Sequence, residues 1–240
     1  MRILIVAATQ AEIAPLFSVS SKQLAVGSNE LTVDSLQLAA DTANCPQQTA
    51  NLLITGVGMV ATAFALGRHL AINQYDLAIN LGIAGSFNRS LDLGEVVEVT
   101  SDTLAELGAE DDEDFLPIDT MGFGQSLFNA STTLSGIFSQ NDIEGGSLLL
   151  KQTTGITVNT VHGNDQAIRK ISSRLNPQVE SMEGAAFFYA CHKAGLPCLQ
   201  IRAVSNYVEK RNRDSWQIGL AIKNLNTFTD ALLQRLSQIT

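Results

Sequence analysis

The stretch Leu52–Ser86, LLITGVGMVATAFALGRHLAINQYDLAINLGIAGS, decides the fold class. It begins with a short apolar run, Leu52–Thr55, and passes through a glycine turn into a segment of helical spacing, Val60–Asn73. A second apolar run follows at Leu77–Leu81. A strand, a helix and a strand in this order predict a crossover connection between parallel strands. The stretch therefore predicts an α/β unit.

The same alternation continues along the rest of the chain. The other predicted strands are Ile3–Ala8, Glu95–Ser101, Thr157–Thr160, Val179–Met182 and Pro197–Val204, and the other predicted helices are Thr9–Phe17, Asn164–Leu175, Glu183–Ala194 and Asp214–Ser237. Asn164 and Asp214 are the expected N-caps, and Gly195 is the expected helix stop. Leu24–Leu38 alternates like an antiparallel hairpin that extends the sheet. We predict a single α/β domain over residues 1–240, with a mixed, mostly parallel central sheet flanked by helices on both faces.

Composition narrows the classes of partner. The 240 residues carry 15 Lys and Arg against 24 Asp and Glu, which gives a formal net charge of −9, and 45% of them are hydrophobic. Such an acidic chain lacks the positive surface that nucleic acid and anionic membranes require, so small molecules and protein subunits remain as partners. We find no signal peptide and no spanning segment. Three cysteines without a CxxC pair indicate free thiols, and we expect a cytoplasmic protein.

Polar residues and glycines gather after the predicted strands, where an open parallel sheet binds its ligands. They are Glu12, Gly56, Gly58, Gly82–Ser86, Met182, Glu183, Ser205 and Asn206. Most have a structural alternative. Glu12 stands three residues after Thr9, as in a capping box, and Glu183 at a helix start suits the positive end of the helix dipole. Arg202, a permanent charge inside an apolar strand, must meet a carboxylate or a ligand.

Other residues that can carry chemistry lack the pattern of a site. His69, His162 and His192 accompany neither a GxSxG nucleophile nor a metal-ligand spacing, so each is expected to be a surface or hydrogen-bonded histidine. The acidic run Glu110–Asp114 has no metal-loop spacing and is expected to be a solvated loop. We expect neither a metal nor a cofactor.

Four motifs, TGVGMVATA, NLGIAGSF, ESMEGAAF and IRAVSNYV, stand in this order at the predicted strand ends. Together they resemble the nucleoside phosphorylase/nucleosidase family over nearly the whole chain. AELGAED and SNYVEKRNRDSW are most similar to the futalosine hydrolase branch rather than to the methylthioadenosine/adenosylhomocysteine nucleosidases. The resemblance implies hydrolysis of a purine nucleoside, with futalosine yielding hypoxanthine in menaquinone biosynthesis. It also implies a homodimer or higher homo-oligomer, in which part of residues 104–125 covers a neighbour's pocket.

The resemblance assigns roles to individual residues. Glu12 would activate the attacking water, helped by Arg202 and the loop Gly82–Ser86. Met182 and Glu183 would hold the ribose, and Asn206 would contact the purine. The other implied substrate contacts are Gly58, Ser205, Val161 and His162, the last two near the base, where TVNTVHGN departs from the adenine-specific members. For the benzoate of futalosine, Arg211 and Arg213 are the candidate cations, unless they only solubilise their loop.

These residue types suit the chemistry. Cleavage of an N-glycosidic bond passes through an oxocarbenium-like ribose, so a base acts on one face while the leaving purine is stabilised on the other. The amide hydrogens of Asn206 can stabilise a departing 6-oxopurine, although its carbonyl can also accept from an adenine amino group. The alternatives are a methylthioadenosine/adenosylhomocysteine nucleosidase, a phosphorylase and a non-catalytic nucleoside-binding protein. Phosphorolysis is disfavoured because no arginine stands between Arg2 and Arg68.

Overall fold

The computed structural model describes residues 1–18, 33–37, 49–138 and 148–238. The strands are β1 Arg2–Ala7, β2 Val33–Gln37, β3 Thr49–Ile54, β4 Leu77–Ser86, β5 Val96–Leu104, β6 Gly108–Asp111, β7 Asp114–Pro117, β8 Leu127–Asn129, β9 Lys151–Thr157, β10 Val179–Ser181 and β11 Cys198–Tyr207. The helices are α1 Gln10–Ser18, α2 Met59–Leu70, α3 Leu134–Ile137, α4 Asp165–Leu175, α5 Gly184–Ala194 and α6 Ile218–Leu236, with a 3₁₀ turn at Arg213–Ser215.

The main sheet is mixed, and it closes on itself at one end. Its strand order is β10-β9-β5-β11-β4-β1-β3-β2, and β8 pairs with β5. Strands β3, β1, β4 and β11 run parallel, whereas β5 is antiparallel to β11. Strand β10 also pairs with β4, with Val179 opposite Ser86 and Glu180 opposite Gly85. The strands β4, β11, β5, β9 and β10 therefore form a closed ring, which differs from the open sheet that the sequence suggested.

Helices cover both faces of the sheet. Along β1, Ile3 and Ile5 belong to a core cluster shared with α1 and α6, whereas Leu4 and Val6 pack in a second cluster with Phe187 of α5. Because successive side chains of a strand point to opposite faces, a strand covered on both sides has to be apolar throughout. The prediction of a mixed α/β fold flanked on both faces is confirmed.

Several predicted boundaries were wrong. The strand expected at Thr157–Thr160 instead spans Lys151–Thr157. Its first four residues, KQTT, are polar because this end of the strand is largely exposed, so they give no apolar strand pattern. Asn164 caps α4 and Gly195 ends α5 as predicted. Asp214 does not cap a helix, since Asn212 caps the 3₁₀ turn and α6 begins only at Ile218.

Two other segments were only partly anticipated. The acidic run does not form an irregular loop: β6 and β7 pair as a hairpin, and Asp112 at its tip has a φ of 54°. Of the hairpin expected at Leu24–Leu38, strand β2 is present and pairs antiparallel with β3, while residues 24–32 lie outside the described residues.

Cysteines and histidines outside the site occupy ordinary structural positions. Cys191 and Cys198 are buried free thiols, and Cys45 lies outside the described residues. His69 and His192 are hydrogen-bonded as expected, to the Tyr75 hydroxyl at 2.7 Å and the Asn129 carbonyl at 2.8 Å. In the part of the chain that the structure covers, no helix has both the length and the apolar character needed to cross a membrane.

Candidate active site

A cavity of about 400 Å³ lies along the last third of β4. Its floor is the segment Ile83–Gly85, and its walls come from the start of α1, the junction of β10 with α5, the end of β11 and the segment from Trp216 into the start of α6. Because glycine and alanine make up most of this floor, the side chains of the neighbouring strands can approach the backbone of β4.

Glu12 lies in the first turn of α1 and is 9% exposed. Its Oε2 accepts hydrogen bonds from the Thr9 N–H at 2.9 Å and the Thr9 hydroxyl at 3.0 Å, as a capping residue would. Its Oε1 accepts from the Ile83 N–H at 3.3 Å, which ties the helix to the cavity floor. A carboxylate offers about four lone-pair sites, so Glu12 can cap its helix and still accept a hydrogen bond from a ligand.

Arg202 lies behind the floor and is 1% exposed. A β-carbon on Gly82 would lie 2.2 Å from its Nη1 and 3.1 Å from Glu12 Oε1, so only glycine leaves room for both groups. Arg202 Nη2 donates to Asn80 Oδ1, and Nε has no hydrogen-bond partner among the described residues. Among the described residues no carboxylate contacts Arg202 directly, so of the two expected partners, a carboxylate or a ligand, the ligand remains.

Glu183 stands at the N-cap position of α5 and is 8% exposed. Its Oε1 accepts from the Gly58 N–H at 3.0 Å, and its Oε2 accepts from the Met182 N–H at 3.3 Å. Gly58, with a φ of 98°, is itself the N-cap of α2. The carboxylate therefore lies where two helix N-termini converge, and their dipoles favour its negative charge.

Asn206 follows a bulge in β11, where the register against β4 shifts between Val204 and Asn206. The extra residue turns the Asn206 side chain over Gly85, whose added β-carbon would lie 3.2 Å from Nδ2. Oδ1 accepts from the Ser205 hydroxyl at 2.9 Å, and Nδ2 donates to the Tyr207 carbonyl at 3.0 Å. One amide hydrogen remains for a ligand.

The structure adds a buried carboxylate that the sequence analysis did not identify. Glu180 of β10 lines the cavity and is 3% exposed. Its Oε1 accepts from the His162 N–H at 3.0 Å, and its Oε2 lies 2.6 Å from His162 Nδ1. The signal that would have revealed Glu180 is its pairing with Gly85 across β10 and β4.

The two candidate cations of the last loop occupy different positions. Arg211 lines the cavity, and its guanidinium carbon lies 5.0 Å from the centre of the Trp216 ring, which lines the cavity too. Arg213 is exposed, lies 5.9 Å from the same ring centre and does not line the cavity. The sequence did not single out Trp216, because a lone aromatic in a polar loop carries no pattern.

The cavity thus gathers most of the predicted residues. Those that line it are Glu12, Val161, His162, Met182, Glu183, Ser205, Asn206 and Arg211. Gly58, Gly82 and Arg202 lie directly behind lining residues. Ser86 does not reach the cavity: it is fully buried, and its hydroxyl bonds the carbonyls of Asn88 at 2.9 Å and Gln178 at 3.2 Å. Its contacts are those of a structural residue.

Comparison with known proteins gives consistent relatives. The family described as the Phosphorylase superfamily matches residues 2–239. The chain is 32% identical over 188 residues to a futalosine hydrolase of Streptomyces coelicolor, covering 76% of each chain. It is 30% identical over 174 residues to a futalosine hydrolase of Thermus thermophilus, covering 72% of this chain and 76% of that protein. A solved 5′-methylthioadenosine/S-adenosylhomocysteine nucleosidase of Neisseria meningitidis, in complex with methylthio-immucillin-A, superposes with a TM-score of 0.75 at 19% identity and 99% coverage of both chains.

A buried polar network lies beneath Glu183. Asp102 of β5 is 1% exposed and accepts from Thr157 Oγ1 at 2.8 Å and Gln200 Nε2 at 2.9 Å. Thr157 Oγ1 accepts in turn from the Ala185 N–H at 2.7 Å, in the first turn of α5. A β-carbon on Gly184 would lie 2.1 Å from Asp102 Oδ2, so the network lies directly against the start of α5.

Burial raises the pKa of Asp102 from 3.8 to about 6, against the opposing effect of its hydrogen bonds from Gln200 and Thr157. Because the folded chain binds this proton more tightly than the unfolded chain, the carboxyl group costs no stability below pH 4 and destabilises the fold as the pH rises through 6. The resulting loss of unfolding free energy is about 3 kcal/mol at neutral pH, from the linkage between proton binding and folding.

Between pH 4 and pH 7 the unfolding free energy of the parent should fall, and we predict a smaller fall for Asp102→Asn. The new amide can also donate to Gln200 Oε1, which has no hydrogen-bond partner in the part of the chain that the structure describes. Urea unfolding across this pH range measures the effect, with Asp111→Asn on the exposed hairpin as the control. Identical pH profiles for the parent and Asp102→Asn would contradict the assignment.

Proposed function

The chain belongs to the phosphorylase superfamily, and on that premise we propose that it hydrolyses the N-glycosidic bond of futalosine and releases hypoxanthine. The observation that carries the proposal is one cavity walled by Glu12, Glu183 and Asn206, three groups with separable tasks in such a reaction. Three relatives at 30% identity or more that carry the name futalosine hydrolase support the choice of substrate.

Glu12 is the proposed general base. It lies at the Gly82 end of the floor, and Oε1 receives a single backbone hydrogen bond, so this oxygen can accept a proton from water placed above Ile83. The positive charge of Arg202 behind Gly82 favours the hydroxide-like nucleophile as it forms. Arg202 acts here as a positioning residue, since Gly82 and Glu12 stand between it and the cavity.

Glu183 is the proposed ribose contact. Its carboxylate can accept from the 2′ and 3′ hydroxyls while it keeps its hydrogen bonds to the N–H groups of Gly58 and Met182. A negative charge held beside the ribose also stabilises the oxocarbenium-like transition state more than the neutral substrate. Met182 supplies an apolar contact beside it in the cavity lining.

Asn206 is the proposed contact for the leaving base. The 6-oxopurine departs with negative charge spread over O6 and N7, and an amide N–H stabilises that charge without transferring a proton. Ser205 fixes the amide orientation by donating to Oδ1 at 2.9 Å. The uncommitted Nδ2 hydrogen is the donor available to the base.

The expected homo-oligomer and cytoplasmic location extend this proposal. Val57 lines the cavity and is 56% exposed, and the adjoining first turns of α2 leave Val60 and Phe64 at 78% and 63% exposure. Phe123, within the 104–125 region expected to cover a neighbour's pocket, is 77% exposed. These apolar side chains suit burial against a second copy. The buried free thiols of Cys191 and Cys198 suit a reducing compartment.

The direct test is to incubate the purified protein with futalosine, inosine and methylthioadenosine, with and without phosphate, and to identify the products chromatographically. We expect hypoxanthine from futalosine at a rate independent of phosphate. A phosphate-dependent sugar phosphate would establish a phosphorylase instead. Preferential release of adenine from methylthioadenosine would establish the other nucleosidase, and no free base from any substrate would favour a binding protein.

Replacing Glu12 by glutamine separates its two roles. As the general base, Glu12→Gln should reduce turnover on the order of a hundredfold or more. If Glu12 only caps α1, the change appears as about 0.5 to 2 kcal/mol of stability with near-normal turnover. Turnover and thermal midpoint measured on the same variant decide between them, with Glu113→Gln in the exposed turn between β6 and β7 as the control.

The two loop arginines form a matched pair for testing substrate recognition. Because Arg211 lines the cavity and Arg213 does not, Arg211→Ala should raise the KM for futalosine roughly tenfold, as expected for the loss of a charged hydrogen bond to the benzoate. The same change should leave the KM for inosine unaltered, and Arg213→Ala should alter neither KM. Equal effects of the two variants on futalosine would exclude Arg211 as the specific contact.

A further inference from the structure

Among the described residues, the cavity contains one buried carboxylate to which the proposed reaction gives no task. Glu180 is 3% exposed and lines the cavity, yet it is on neither the water side nor the ribose side. A carboxylate this deeply buried is costly unless its lone pairs are used. Its surroundings indicate what it can recognise.

Glu180 and Asn206 face each other across a glycine. Gly85 on β4 pairs with Glu180 on β10 and with Asn206 on β11, so the three residues form one row across adjacent strands. Directly opposed residues share a face of the sheet. A β-carbon on Gly85 would lie 3.2 Å from Asn206 Nδ2 and 3.5 Å from Glu180 Cγ, so both side chains lean over the glycine. Their side chains therefore border the same part of the cavity, which we call the slot.

His162 completes the far side of this slot. Glu180 accepts from the His162 N–H at 3.0 Å and contacts its Nδ1 at 2.6 Å. An ionised carboxylate can only accept, so Nδ1 carries the proton that the contact uses. In the neutral ring, Nε2 is then an acceptor, and the carboxylate retains unused lone pairs. Glu180 therefore offers hydrogen-bond acceptors in the same cavity as the amide donor of Asn206, and the neutral His162 ring adds Nε2 as a further acceptor.

This arrangement matches one class of purine. A 6-oxopurine carries a hydrogen on N1 beside the acceptor O6, whereas a 6-aminopurine carries a lone pair on N1 beside a donor amino group. We propose that Glu180 and His162 select a 6-oxopurine by accepting a hydrogen bond from its N1–H, while Asn206 donates to the edge formed by O6 and N7. This inference rests on the proposed function. An adenine base would place its N1 lone pair against these acceptors and leave buried groups unpaired, which sites of this kind reject strongly.

A purely structural role for Glu180 makes a different prediction. Glu180 also holds the segment 157–164 through the His162 backbone, and Glu106 holds the same segment through Asn159, at 2.9 Å to its N–H and 3.0 Å to its Nδ2. Loss of a simple anchor would weaken the binding of every purine alike. Glu106→Gln is therefore the matched control, since it loosens the same segment and leaves the Glu180 and His162 side chains in place.

The test measures binding and turnover for the parent, Glu180→Gln, His162→Gln and Glu106→Gln. Calorimetry gives the dissociation constants of hypoxanthine and adenine, and kinetics gives kcat/KM for futalosine and its 6-amino analogue. We expect the parent to prefer the 6-oxo compound more than tenfold in both measurements. Glu180→Gln and His162→Gln should each reduce that preference at least tenfold, mainly through weaker binding of hypoxanthine, while Glu106→Gln keeps it.

The outcomes separate this inference from the proposed function. If the parent binds hypoxanthine selectively but cleaves no nucleoside, the hydrolase function fails and the base selection stands. If the parent cleaves futalosine selectively and both slot variants keep its preference, the inference is overturned while the function stands. If Glu180→Gln weakens the binding of hypoxanthine and adenine equally, or if Glu106→Gln has the same effect, Glu180 only anchors the segment and the inference is overturned. Should Glu180→Gln fail to fold, His162→Gln alone decides, because His162 is only partly buried.

Discussion

The short antiparallel contact between β10 and β4 is the constraint on which the cavity depends. Only two residue pairs form it, Val179 with Ser86 and Glu180 with Gly85. That contact closes the sheet and brings the start of α5, with Glu183, against the turn that begins α2. Without it, the ESMEG and GIAG segments would occupy separate regions of an open sheet, and no cavity would form between them.

Local patterns predicted what depends on neighbouring residues in the chain. The core strand β1, the Asn164 cap and the Gly195 stop follow from apolar runs and capping chemistry, and all three are found. Residues at strand ends also proved informative, because Glu12, Glu183 and Asn206 line one cavity. These residues were recognisable because each stands at an abrupt change from apolar to polar sequence.

What the sequence concealed depends on contacts between distant segments. In the sequence, Glu180 is an ordinary polar residue of a short strand. Only its pairing with Gly85 places it at the cavity. Arg202 was expected to meet a carboxylate or a ligand, and its direct partner among the described residues is the Asn80 amide of a neighbouring strand. Strand β9 was misplaced because its first residues are polar and exposed, and only its pairing with β5 and β10 defines it. Periodicity carries no information about such pairings.

The bulge in β11 links the geometry of the site to its motion. Because Ser205 is the extra residue, its carbonyl is free from the sheet and accepts the Gln217 N–H at 2.7 Å, next to Trp216. The strand end that presents Asn206 and the turn that carries the aromatic wall are therefore one mechanical unit. A displacement of that turn is therefore transmitted to the backbone beside Asn206. In the proposed reaction, the turn and the purine contact would respond together, without a further coupling element.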